Sequence, residues 1–80
     1  MNEAASIRSE LMAIAGRGPA SAGVRVAIDY LKTAQEQNSL SVVLEQVGHS
    51  ISVLHGIADG AHATKRLLAL QKQLQGMSND

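Results

Sequence analysis

The side chains best suited to chemistry are three histidines, His49, His55 and His62, and the carboxylate Asp59 between the last two. His55, Asp59 and His62 stand at i, i+4 and i+7, so one unbroken helix would aim two imidazoles and a carboxylate at a single divalent ion. Gly60 follows Asp59 and is a strong helix stop that would part His62 from the other two. Solvated or capping roles are therefore expected, and neither a metal site nor a cofactor is assigned. The imidazoles titrate near neutrality and would make an association face that held them pH-sensitive, but exposed titrating side chains are the plainer expectation. Nucleophilic and acid-base catalysis find no footing: there is no cysteine, no GxSxG, no P-loop, no GxGxxG and no HExxH. Short helices also leave little room for a substrate pocket, so the chain is not expected to be an enzyme.

The composition fits a single small helical domain. Of 80 residues, 45% are apolar, seven Lys and Arg balance seven Asp and Glu, and Cys, Trp and Phe are absent. Twelve Ala, nine Leu, six Val and five Ile must build the core. A chain of this length buries only about 60% of its unfolded surface, which makes pairing with a second copy a reasonable default. Zero formal charge removes the simple electrostatic case for nucleic acid. The opening MNEAASIRSEL carries acids where a signal peptide carries bases, and no apolar run approaches a membrane span. A cytoplasmic address and no membrane partner are expected.

Helical periodicity organises the chain. Ile7, Leu11 and Ile14 mark a first helix from about Glu3 to Ala15, stopped at Gly16. The segment GRGPASAG supplies a glycine cap, a proline and Ser21 as an N-cap. Val24, Ala27, Ile28, Leu31 and Ala34 then form the apolar face of a second helix reaching about Glu36, with Tyr30 covering its core edge. Gln37, Asn38 and Ser39 make a turn, and Leu40, Val43, Leu44 and Val47 begin a third stripe. The last stripe, Ala63 to Gln75, aligns Leu67, Leu70 and Leu74 with Leu68 beside them. Strand signals are nearly absent. The expected layout is one domain over residues 1–80, with the first helix and linker at 1–18, a core at 19–75 and a frayed tail at 76–80. The first helix serves as a fourth core helix or as a dimerisation arm.

The stretch LSVVLEQVGHSISVLHGIADG admits two descriptions. Val47-Gly48, Ser50, Ser52, Leu54, Ile57 and Asp59-Gly60 follow the pattern of a helix ending in an apolar residue and glycine, a capped second helix, and a glycine stop. In these residues the chain resembles the helix-turn-helix core of the Cro/repressor-type DNA-binding family. The resemblance implies an all-α fold of four or five short helices, a recognition helix from Ser50 to Ala58, and binding of double-stranded DNA as a homodimer. It places Ser50, Ile51, Ser52, Val53 and His55 toward the major groove and Lys65, Arg66 and Lys32 toward phosphates. Leu44, His49 and Ile51 depart from the family's usual residue types. No Lys or Arg lies between Lys32 and Lys65, so two half-sites would be needed.

In the second description Leu40, Leu44, Val47, Ile51, Leu54, Ala58 and Ala61 form an uninterrupted seam at spacings of four and three. Gly48, Ser52, Gly56 and Gly60 then make a ladder of small residues on another face. This is a helical hairpin or bundle that docks on a protein partner, as an adaptor, inhibitor or chaperone-like module, without binding DNA. The glycines favour the turn at Gly48, since each costs roughly 0.8–1 kcal/mol inside a helix, while Ile51 favours the seam. A non-enzymatic DNA regulator is the first expectation and the docking module the alternative.

Overall fold

The computed structural model describes residues 2–78, and every regular element among them is helical. Helix α1 spans Asn2–Gly16, α2 Ala22–Glu36, α3 Leu40–Leu54 and α4 Ala61–Ser78, with one 3-10 turn at Ala58–Gly60 leading into α4. The first linker follows the expected chemistry. The Ser21 hydroxyl accepts the Val24 backbone N–H at 3.3 Å, capping α2 one turn before its first buried residue. The expected tail is helical through Ser78, and its last two residues lie outside the described ones.

Helices adjacent in sequence pack against each other, and α4 closes on α1. Contacts along each pair fix the directions. Gly23 near the start of α2 lies against Val53 near the end of α3. Glu10 meets His62, while Glu3 meets the later Arg66. At the α3–α4 interface Leu40 shares a crevice with Met77 at one end, and Leu54 shares a cleft with Thr64 at the other. The topology is therefore up-down-up-down, as short connections between antiparallel neighbours require. Each helix contributes one stripe to the core: Ala4, Ile7 and Leu11; Val24, Ala27, Leu31 and Ala34; Val43, Val47 and Leu54; Ala63, Leu67, Leu70 and Leu74. Each buried Leu, Ile or Val contributes about 1.5–3 kcal/mol, while the alanines let backbones approach. One close approach is at Gly23, where a Cβ would lie only 2.3 Å from the Val53 carbonyl oxygen.

The expected turn at Gly48 is not formed. Helix α3 runs through Gly48 without interruption and ends at Leu54, and the chain turns at Gly56, whose φ of +80° suits glycine. Packing outweighs the local preference of glycine here. Val43, Val47, Ser50 and Leu54 recur at spacings of four, three and four on one buried face, which a break at Gly48 would split in two. Ser50 to Ala58 consequently does not exist as a separate helix. Gly60 is no exposed stop either: it is buried in the 3-10 turn that feeds directly into α4. The uninterrupted-seam description is corrected in two respects. The helix stops at Leu54, so the seam positions Ala58 and Ala61 fall outside it, and α3 is rotated so that Val43 and Ser50 face the core while Leu44 and Ile51 are half-buried beside it.

Candidate functional site

The residues expected to read DNA are distributed around α3 rather than gathered on one face. Ser50 is fully buried, and its hydroxyl donates to the Gln46 carbonyl at 2.9 Å. It therefore neither caps a helix nor reaches a groove. Ser52 is exposed and donates in the same manner to the Gly48 carbonyl at 3.2 Å, a bond available only because the helix continues through both positions. Val53 lies on the α2 side against Gly23, whereas half-buried Ile51 belongs to the α4 side. His55 is exposed at the C-cap of α3, at the mouth of the α3–α4 cleft.

Arg66 was expected at a phosphate, but α1 holds it. Its guanidinium donates to Glu10 Oε1 at 3.0 Å, to Ser6 Oγ at 2.9 Å, and to Glu3 Oε1. These partners raise its pKa: the Glu10 hydrogen bond leads, partial burial opposes, and the Glu3 hydrogen bond and both carboxylate charges add to the rise. Glu10 is the hub of the cluster, since its other oxygen lies 2.9 Å from His62 Nδ1. Burial works against the Glu10 charge, but hydrogen bonds from His62 and Arg66 and their positive charge prevail and hold its carboxyl below the ordinary range. The cluster ties α1 to α4. It commits His62 to Glu10 of α1, and among the described residues no three such side chains converge on a metal position, so the i, i+4, i+7 set is not assembled. His49 stacks at 5.2 Å, tilted, on Tyr30. Exposed Lys32 lies on α2 and does not line the cleft, while Lys65 does.

What the structure does bring together is a face of mixed aliphatic and polar residues along α3 and α4. Leu44, Gly48, Ile51 and His55 recur on the flank of α3 next to α4. Thr64, Leu68, Gln71 and Gln75 recur on the facing flank of α4, with Gln71 the nearest side chain to Gly48. Leu68 is 50% exposed although it is a large aliphatic residue. At the end nearest the Gly56 turn the face opens into a cleft of about 390 Å³ lined by Leu54, Gly56, Ile57, Ala58, Ala61 and Leu68, with His55, Thr64 and Lys65 at its polar points. The Thr64 hydroxyl is already committed to the Gly60 carbonyl at 2.8 Å. No nucleophile stands beside a base here, so the chemistry on offer is desolvation of an apolar side chain with polar contacts around it. The sequence signalled parts of this face, Leu44 and Ile51 in the seam, Gly48 in the ladder of small residues and Leu68 beside the α4 stripe, but not the cleft, which depends on the turn at Gly56.

No protein-family model matches the chain, and comparisons with curated proteins and with solved structures give no match. The likeness to the Cro/repressor-type family therefore rests on its motif residues alone.

Proposed function

We propose that the protein is a small non-enzymatic interaction module that docks on a protein partner through the α3–α4 face. The observation that carries this reading is the face itself: Leu44, Gly48 and Ile51 on α3 lie beside half-exposed Leu68 on α4 and lead into a mainly apolar cleft, which Lys65 also lines. Met12, Val26, Leu68 and Met77 are the large apolar side chains exposed among the described residues, and of these Leu68 lines this cleft. The duplex-DNA reading retains exposed Ser52, His55 and Lys65, but it required a separate helix opening at Ser50, and Ser50 lies inside α3 and is buried. Docking is the better supported of the two.

A photo-reactive residue in place of His55, compared with one in place of Lys32, tests the proposal in cells. The expected result is a protein adduct from position 55 that disappears with Leu68→Glu, none from position 32, and no binding of duplex DNA at low salt. Saturable, salt-dependent DNA binding that is lost on Ser52→Glu, without a protein adduct, would overturn it.

A further inference from the structure

We infer that the chain covering the α3–α4 face is a second copy of this protein, related by a two-fold axis that runs along the groove between the two helices. This deepens the docking reading and rests on it. The register comes from contacts within one chain. Gly48 lies level with Gln71, since a Cβ built at Gly48 would sit 3.7 Å from Gln71 Nε2. Leu40 and Val43 are level with Met77 and Leu74, and Leu54 with Thr64. The helices run antiparallel, so Leu68 falls level with Ile51 and Ser52.

An axis along the groove exchanges α3 and α4 at constant height and lays α4 of one copy on α3 of the other. Leu68 then stands over the space bounded by Gly48, Ile51, Ser52 and His55, which are spaced i, i+3, i+4 and i+7 as a hole for one knob must be. Gly48 contributes no side chain to that hole, leaving room for a leucine. Symmetry makes the contact twice.

Charge favours the same axis. The outer edge of α3 carries Glu45, whose side chain is 67% exposed, and the outer edge of α4 carries exposed Lys72 within about one turn of the same height. An axis along the groove brings Glu45 of each copy to Lys72 of the other. An axis across the groove would stack α4 on α4 about Leu68 and place Lys65 against Lys72, like charge on like. A second copy also answers a need of the chain itself, since a core of alanines and medium-sized aliphatics in 80 residues is marginal.

Sedimentation equilibrium of the full chain at about 50 µM is expected to give twice the 8.4 kDa chain mass. Leu68→Glu, exposed and so compatible with folding, is expected to weaken self-association at least about tenfold while helicity by circular dichroism is kept. Glu45→Lys and Lys72→Glu are each expected to weaken it several-fold, and an equimolar mixture of the two variants to recover a heterodimer, because both cross-pairs are then opposite in sign. A monomeric wild type, a dimer unchanged by Leu68→Glu, or a mixture no tighter than its components would overturn the inference. A monomer that still gives a Leu68-dependent protein adduct at position 55 overturns only the self-pairing; a dimer unchanged by Leu68→Glu with no adduct overturns the docking reading as well.

Discussion

Replacing Gly48 with alanine separates a continuous α3 from a helix-turn-helix more sharply than any other single substitution. In the structure Gly48 is an interior residue of α3, without positive φ, and an added Cβ would meet nothing closer than Gln71 Nε2 at 3.7 Å, an ordinary van der Waals contact. The methyl group therefore fits, and the substitution removes the backbone freedom that glycine confers on the unfolded chain. The expected gain is about 0.8–1 kcal/mol, which raises the Tm of a domain this size by roughly 4–8 °C. Urea denaturation followed by circular dichroism measures it, with Leu68→Glu as the background so that self-association does not enter. Gly56→Ala is the internal contrast: at φ +80° it is expected to cost about 1–2 kcal/mol. If Gly48→Ala destabilised the protein and Gly56→Ala did not, the turn would lie at Gly48 and the assignment of α3 would be wrong.

Three further outcomes follow from buried and paired groups. Gly23→Ala places a Cβ 2.3 Å from the Val53 carbonyl oxygen, and since backbone must move to relieve it, a loss of about 1–3 kcal/mol is expected in the same urea assay despite the better helix former. Ser50→Glu puts a carboxylate into a fully buried position and is expected to lose at least about 3 kcal/mol or to prevent folding. In the Leu68→Glu background, where self-association does not enter, exposed Ser52→Glu is expected to stay within about 0.5 kcal/mol of its parent; equal effects of the two variants would contradict the rotation of α3. Glu10 has a folded pKa depressed below the ordinary value of 4.5, so its contribution to stability is complete above that value and is lost as pH falls through the folded value. Wild type should accordingly lose stability more steeply than Glu10→Gln as pH is lowered below about 4.5, and parallel pH profiles would remove the ion cluster from the account.

The parts of the fold legible in the sequence are those where local and tertiary preferences agree. Ile7 and Leu11, Val24 to Ala34, and Leu67 to Leu74 lie at helical spacing and are buried at that spacing, and Ser21 caps α2 as its type and place suggest. At Gly48 the two preferences conflict. Glycine weakens a helix by about 1 kcal/mol, whereas Val43, Val47 and Leu54 each gain more than that from one continuous buried face, so tertiary packing decides and the turn moves to Gly56. The long-range partners were not legible for a different reason. Arg66 reads as a free cation in sequence, yet Glu3 and Glu10, more than fifty residues away, are brought to it only by the antiparallel return of α4 along α1. The candidate face has the same origin: Leu44 and Ile51 read as members of a buried seam until the rotation of α3 leaves them beside the core, on the side that faces α4 and its exposed Leu68.

The most direct test of the uninterrupted α3, on which the docking face depends, is the set of backbone 13Cα and 13C′ chemical shifts from Leu40 to Ala61. Helical shifts continuing through Gly48 to Leu54, with the break confined to residues 55–57, are the expected result. A break at Gly48 and His49 followed by a new helix opening at Ser50 would contradict the account and return the recognition-helix residues to the surface.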